Sequence, residues 1–251
     1  MRAGRTRRAG AAAAVCVLVT AVLVALVVLL PPRGSASEAR PRAVRVMPLG
    51  DSITWGKGSP SHSAYRAELW RLVAGQSLYT VRFVGSQLSG TLPEPQNEGH
   101  SGYTVDRIRA GVDRWTAAAA PDVVLLHIGI NDLHRHVDPA HAPDRLAALV
   151  DRIYADRPGV SVVLLGLIPT TPHLQAQAVA YNRRAAALQG IERHRGRAFW
   201  YVEPPRLSRA QMADSLHPND AGYARIARAF FPALSSAVAA RATASAPVTL
   251  P

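Results

Sequence analysis

The chain has 251 residues, of which 48% are hydrophobic and 18% are charged. This balance excludes an intrinsically disordered or collagen-like chain, and the length suits one α/β domain with a substantial core. The net charge of +12 comes almost entirely from arginine, but the arginines are scattered along the chain, which favours a solvated surface over nucleic-acid binding.

The first 37 residues have the composition of an export signal. Arginines precede an apolar run from Ala11 to Leu30, and small residues follow at 35–37. We expect a cleaved signal peptide at 1–37, with an uncleaved membrane anchor as the alternative because the run is long. Cys16, the only cysteine, lies inside that run. The sequence thus predicts a secreted, monomeric domain at 38–241 that contains no disulfide, followed by a disordered tail at 242–251.

Strand-like and helix-like segments alternate along the rest of the chain. Apolar runs predict five buried strands, at 44–49, 79–84, 123–128, 161–167 and 199–202. Helical spacing of apolar residues follows at 64–74, 105–117, 146–154, 176–194 and 221–240. This alternation predicts a parallel sheet with helices on both faces and a ligand site beyond the carboxyl ends of the strands. Residues 86–103 show no periodicity and predict a long loop.

The first predicted strand leads into GDSIT at 50–54. Ser52 is either a nucleophile at the ligand-binding edge or, together with Asp51, a cap for the next helix. The glycine spacing fits neither the G-x-S-x-G turn of α/β-hydrolases nor a phosphate-binding loop. GDSIT alone leaves catalysis and capping equally plausible.

A base for such a serine is available near the end of the chain, in DSLHPN at 214–219. Serine is a weak nucleophile until a neighbouring imidazole takes its proton, and the imidazole needs a carboxylate to orient it. Asp214 precedes His217 by three residues, a spacing that one turn of chain brings together. The alternative is a surface histidine in front of a capped helix.

Two further segments offer hydrogen-bond donors for a developing oxyanion. Asn131 lies in GIND at 129–132, directly after the third predicted strand, and Gly102 lies in GHSGY at 99–103. A side-chain amide and a glycine N–H are both suitable donors in acyl transfer. Each segment is equally suited to an ordinary turn. Together, however, the four segments supply every group that a serine esterase needs.

In this order, the four segments resemble the conserved blocks of the SGNH (GDSL-like) hydrolases, and the resemblance covers nearly all of residues 44–233. It implies a flavodoxin-like three-layer α/β/α sandwich around a five-stranded parallel sheet. It also implies Ser52 as nucleophile, His217 as base and Asp214 as its partner. The implied oxyanion hole combines the N–H groups of Ser52 and Gly102 with the Asn131 side chain.

Finer features resemble the acetylxylan esterase branch, carbohydrate esterase family 3. They include MPL before GDSIT, FVGSQ at 83–87, EGHSGY at 98–103 and HPNDxGY at 217–223. The resemblance implies O-acetyl groups on xylan or a related polysaccharide as the substrate. Candidate substrate contacts are Asp51, Glu98, His100 and Tyr103. Glu98 and His100 fit equally well a role in holding the loop closed, and aromatic residues such as Tyr103 are more often part of a core.

The sequence leaves other functions to be weighed. A lipase of the same family would need an extended apolar groove, and the predicted loops are polar. A non-catalytic carbohydrate-binding protein on this scaffold would not need the intact catalytic set. Four histidines at 127, 134, 136 and 141 lack the matching acidic framework of a metal site, and a serine mechanism needs neither metal nor cofactor. The expected partner is therefore an acetylated polysaccharide or a small acyl ester.

Overall fold

The computed structural model describes residues 43–169 and 172–245. The predicted export signal at 1–37 lies outside these residues and remains a prediction. Among the described helices, none combines the length and the hydrophobicity needed to cross a membrane.

All five apolar runs expected from the sequence form strands of the central sheet. Its four main strands are all parallel and lie in the order β1 (Val44–Gly50), β5 (Val123–His127), β6 (Ser161–Leu165) and β7 (Phe199–Val202). Every residue of β5 and β6 is buried, as continuous apolar runs require when helices cover both faces.

On its other side β1 pairs with two short strands in succession. Strand β2 (Val81–Phe83) runs parallel to the beginning of β1, and β4 (Gln96–Gly99) runs parallel to its end. A two-residue strand, β3 (Gln87–Leu88), is antiparallel to β4. The sheet in the described residues therefore has seven strands rather than five. The predicted loop at 86–103 is wrong in this respect, because β3 and β4 are too short and polar to show a strand period.

Helices cover both faces of the sheet and complete the predicted α/β/α sandwich. One group is formed by α2 and α8, and a second by α3, α4, α6 and α7, which pack on one another in succession. Two very short helices, α1 and α5, begin directly after β1 and β5. The helices are α1 Ser52–Trp55, α2 Ala64–Ala74, α3 Val105–Arg109, α4 Val112–Ala119, α5 Ile130–His134, α6 Ala142–Asp156, α7 Pro172–His194 and α8 Asp220–Ser245.

Two helix predictions need correction. The helix expected at 105–117 is divided into α3 and α4 by Ala110 and Gly111, and at Gly111 a Cβ would stand 2.5 Å from the Trp115 ring. Helix α8 is longer than the predicted 221–240 and continues to Ser245. Residues 246–251 lie outside the described part of the chain.

Candidate active site

Ser52 is presented by a sharp turn at the end of β1. Gly50 lies so close to β5 that a Cβ would stand 2.1 Å from the His127 carbonyl oxygen, so only glycine fits. Asp51 then caps α1 by accepting a hydrogen bond from the Ile53 N–H at 2.9 Å. Ser52 is the first residue of α1, and its N–H therefore has no acceptor within the helix. The capping interpretation and the nucleophile interpretation are thus compatible, because the cap is Asp51 alone.

His217 reaches Ser52 from the connection between β7 and α8. An isolated antiparallel bridge between Met212 and Pro218 closes the loop that carries it. Within this loop, Asp214 Oδ1 accepts hydrogen bonds from the N–H groups of Leu216 and His217, both at 2.7 Å. The carboxylate therefore shapes the loop as well as contacting the imidazole.

The three predicted catalytic side chains form one continuous line of hydrogen bonds. His217 Nδ1 lies 2.8 Å from Asp214 Oδ2 and 2.9 Å from Oδ1, while His217 Nε2 lies 3.0 Å from Ser52 Oγ. Burial alone would raise the pKa of Asp214, but hydrogen bonds from Leu216 N–H and from the ring and backbone of His217 hold it below its usual value. An anionic Asp214 requires the proton of a neutral His217 on Nδ1. Nε2 is then free to accept the Ser52 proton.

Two contacts join the chain after Ser52 to the histidine loop. Gly58 has φ +90°, and a Cβ there would stand 2.4 Å from the Pro218 carbonyl oxygen. The Tyr223 hydroxyl, at the beginning of α8, donates a hydrogen bond to the Lys57 carbonyl at 2.5 Å. Segments 165 residues apart in the sequence are thereby held in register around the Ser52–His217 contact.

Gly102 occupies the third position of a tight turn over residues 100–103. The Tyr103 N–H donates to the His100 carbonyl at 3.0 Å, and Gly102 has φ +78°, as a type II turn requires. The His100 N–H donates to the Gly50 carbonyl at 2.8 Å, which fixes the turn beside the end of β1. Arg135 Nη1 in turn donates to the Gly102 carbonyl at 2.9 Å.

Asn131 is brought to the same place by the turn that follows β5. Gly129 has φ +120°, and a Cβ there would meet the Tyr181 hydroxyl at 2.5 Å, so the chain can enter α5 only through glycine. The Asn131 amide donates one hydrogen bond to the Tyr103 carbonyl at 2.9 Å. A carboxamide has two N–H donors, which leaves the second for a ligand.

Ser52, Gly102, Asn131 and His217 line one cavity of about 440 Å³ at the carboxyl edge of the sheet. Ser52, Asn131 and His217 are each less than 10% exposed. A nucleophile, a base with its carboxylate and the predicted oxyanion donors therefore surround one space, which is the arrangement that acyl transfer requires.

The four predicted substrate contacts are not on the wall of this cavity. Asp51 and Glu98 are completely buried. Glu98 accepts hydrogen bonds from the N–H and hydroxyl of Ser86, both at 2.7 Å, and lies 2.8 Å from His100 Nε2. The His100 ring is stacked against Tyr103, and it also stacks on Trp115. Of the two alternatives, Glu98 and His100 hold the loop closed, and the prediction that they contact substrate is not supported.

Several residues of the cavity wall were not predicted from the sequence. Lys57 and Arg135 place two cationic side chains there, and Leu216 adds an apolar one. Arg135 follows Asn131 by four residues, so helical periodicity from Asn131 would have indicated it. The remaining unpredicted residues of the wall are Ile53, Ser101, Ile130 and His134.

The histidines weighed as metal ligands do not meet. Residues 43–169 and 172–245 contain no group of three His, Cys, Asp or Glu side chains that could hold a metal ion. His127 is buried, and burial lowers its pKa to about 4, which keeps the ring neutral. His141 instead contacts Asp138 at the surface.

The buried Asp51 gives a pH-dependent contribution to stability. Burial raises the pKa of Asp51 to about 7, from 3.8 in an exposed chain, and no described residue forms a hydrogen bond with its Oδ2. The folded state therefore retains a proton that the unfolded chain loses above about pH 4. The raised pKa stabilises the fold by about 4 kcal/mol below about pH 4, and this stabilisation is lost as the pH rises towards 7.

We expect Asp51→Asn to flatten the pH dependence of stability, because the amide keeps the bond from Ile53 N–H without ionising. The free energy of unfolding in urea should fall from pH 4.5 to pH 8 in both proteins. In Asp51→Asn the fall should be about 3 kcal/mol smaller than in the wild type. Asp144→Asn, at an exposed ion pair with Arg184, is the control. An unchanged pH dependence in Asp51→Asn would show that Asp51 is ionised in the fold.

Comparison with known proteins identifies a family of acylhydrolases and related esterase structures. The profile of the GDSL-like lipase/acylhydrolase family matches residues 49–225. Among solved structures, a family 3 carbohydrate esterase from Clostridium thermocellum is 31% identical. The match covers 79% of this chain and 99% of that one, with a TM-score of 0.70. A family 3 carbohydrate esterase from Talaromyces cellulolyticus is 26% identical over 78% of this chain and 99% of that one, with a TM-score of 0.65.

A curated relative, a multidomain esterase from Ruminococcus flavefaciens, is 24% identical over 230 residues. The match covers 80% of this chain but only 29% of that protein. The resemblance to SGNH hydrolases stated from the four sequence blocks is confirmed, as is the similarity to family 3 carbohydrate esterases.

Proposed function

We propose that this chain, which belongs to the GDSL-like lipase/acylhydrolase family, removes acetyl groups from a polysaccharide outside the cell by a serine mechanism. The observation that carries the proposal is the line from Asp214 through His217 to Ser52, which ends in a cavity shared with Asn131 and Gly102. Neither metal nor cofactor enters the proposed reaction.

In the first half of the reaction, His217 Nε2 takes the proton of Ser52 while Oγ attacks the ester carbonyl. The negative charge that develops on the carbonyl oxygen is stabilised by the N–H groups of Ser52 and Gly102 and by the second N–H of the Asn131 amide. The C–O bond to the sugar then breaks, and His217 gives its proton to the departing hydroxyl. The product of this half is an acetyl ester of Ser52.

The second half repeats the same proton transfers with water as the nucleophile. His217 takes a proton from water, and the resulting hydroxide attacks the acetyl-Ser52 carbonyl. The tetrahedral intermediate releases acetate, and the proton on His217 returns to Ser52 Oγ. Asp214 stays ionised throughout and stabilises the His217 imidazolium in both halves of the reaction.

The shape and polarity of the cavity favour a short acyl group over a long one. Its wall combines a few apolar side chains, such as Leu216, with the cations Lys57 and Arg135. A long acyl chain would have to pass these charges, whereas an acetyl group needs only the space beside Ser52. We expect kcat/KM for p-nitrophenyl esters to fall steeply after the C2 to C4 members. A maximum at C8 or longer would support a lipase instead.

The polysaccharide substrate is inferred from similarity to the two family 3 carbohydrate esterases, and export is inferred from the predicted signal at 1–37. The experiment that tests the substrate is acetate release from acetylated xylan, acetylated chitin fragments and aryl acetates, measured side by side. Release from acetylated xylan at a kcat/KM well above that for aryl acetates supports the proposal. Activity restricted to aryl acetates contradicts it.

Asn131→Ala is expected to lower kcat for acetyl esters by about 100-fold to 1000-fold, because one oxyanion donor is lost. KM should change much less, since the donor acts on charge that appears only in the transition state. The substitution also removes the hydrogen bond to the Tyr103 carbonyl, so thermal unfolding must be measured in parallel. An effect confined to KM would place Asn131 in ground-state binding.

A further inference from the structure

A second cavity lies at the same edge of the sheet as Ser52. It has a volume of about 620 Å³ and is bounded by α7 on one side and by the connection after β7 on the other. Arg183 on α7 and Arg206 on the connection both line it. In parallel α/β sheets the carboxyl edge of the strands is where ligands bind, and this cavity has no role in the proposed reaction.

The arginines of this cavity differ from most others in the molecule. In the described residues, the guanidinium groups of all but four arginines form a hydrogen bond, an ion pair or an aromatic contact; the four are Arg183, Arg206, Arg209 and Arg225. Two of these four line the second cavity, and Arg209 follows on the same connection. Elsewhere exposed arginines are commonly paired, as Arg184 is with Asp144.

Glu203 is the carboxylate on the wall of this cavity, and it forms no ion pair with the two arginines in the part of the chain that the structure describes. The two guanidinium groups are therefore available to a ligand.

The distance between this cavity and the catalytic serine can be judged from the sheet. Neighbouring strands are about 4.8 Å apart, so the ends of β1 and β7, three strand spacings apart, are separated by roughly 14 Å. The connection that carries Arg206 continues to the histidine loop, and Leu207 packs beside Gly222 at the beginning of α8. This separation is small enough for one oligosaccharide to reach both cavities.

We infer that the second cavity binds an anionic substituent, a carboxylate or a phosphate, of the acylated polysaccharide whose ester reacts at Ser52. Guanidinium groups bind both kinds of anion through paired hydrogen bonds. Lys57 and Arg135 extend the cationic surface into the catalytic cavity, because neither forms an ion pair with a described carboxylate. This inference deepens the proposed function and rests on it for the identity of the polymer.

Binding can be measured without turnover, which separates this inference from the proposed reaction. We would titrate the full-length protein with deacetylated oligosaccharides of equal length that are neutral, carry one uronic acid, or carry one phosphate. At least one acidic oligosaccharide should bind about fivefold to tenfold more tightly than the neutral one. Raising NaCl should remove this difference, because partly exposed charges are screened.

The variant Arg183→Gln/Arg206→Gln should lose the preference for the acidic oligosaccharide. Arg225→Gln is the matched control, because Arg225 is also exposed and without a partner but lies on α8, away from the cavity wall. Equal affinity of the wild type for acidic and neutral oligosaccharides overturns the inference, and so does an equal loss of preference in Arg225→Gln. If the double variant does not fold, the single variants Arg183→Gln and Arg206→Gln take its place, because both positions are exposed.

Discussion

Ser52→Ala is expected to reduce kcat for acetyl-ester hydrolysis by about five orders of magnitude. The reason is that Oγ is the atom that forms the acyl-enzyme bond, and Ser52 Oγ is the hydrogen-bond partner of His217 Nε2 among the described residues, at 3.0 Å. The oxyanion donors and the cavity remain, so a small residual rate above the uncatalysed one should persist. Initial rates with an aryl acetate measure the change.

The control for this variant is Ser236→Ala on α8, where an exposed hydroxyl only bonds the Pro232 carbonyl. A fluorophosphonate probe should label the wild type and Ser236→Ala covalently, and it should leave Ser52→Ala unlabelled. Because Ser52 is small and ends a well-packed turn, both alanine variants should keep a cooperative thermal transition. Labelling of Ser52→Ala, or activity near that of the wild type, would assign the nucleophile to another residue.

The elements that carry the catalytic residues were predictable because short-range chemistry determines them. Gly50 ends β1 and Gly129 comes shortly after β5, and at both positions a neighbouring residue leaves no room for a Cβ. Asp214 and His217 are three residues apart, and one closed loop is enough to bring their side chains together. The strand ends and the Asp214–His217 pair could therefore be predicted from the sequence. The contact between Ser52 and His217, which are 165 residues apart, was expected only because the sheet places both on one edge.

The errors arose where long-range contacts determine the structure. Glu98 is a charged residue in a polar segment, and nothing in its sequence indicates that Ser86 and His100 would bury it. Strand β4 forms because the end of β1 offers a free edge, which no periodicity in its four residues reveals. The second cavity likewise depends on α7 and the connection after β7 meeting in space, so Arg183 and Arg206 could not be associated from the sequence.

His217→Ala is expected to cause a loss of kcat of the same order as Ser52→Ala, about five orders of magnitude. Without the imidazole, Ser52 keeps its proton at neutral pH, and no described side chain other than His217 forms a hydrogen bond with its hydroxyl. The Asp214 carboxylate is left with the N–H groups of Leu216 and residue 217, so the loop should retain its shape. His194→Ala, at an exposed position near the end of α7, is the matched control and should behave as the wild type.

The double variant Ser52→Ala/His217→Ala distinguishes one catalytic unit from two independent contributions. If His217 acts only by taking the Ser52 proton, removing it from a protein without that serine costs nothing further, and the double variant should be as slow as Ser52→Ala. Independent effects would instead multiply, and the predicted rate would fall below that of the uncatalysed reaction. A double variant at least tenfold slower than Ser52→Ala would show that His217 also acts on the substrate or on water directly. In that case His217 would have a catalytic role beyond its hydrogen bond with Ser52.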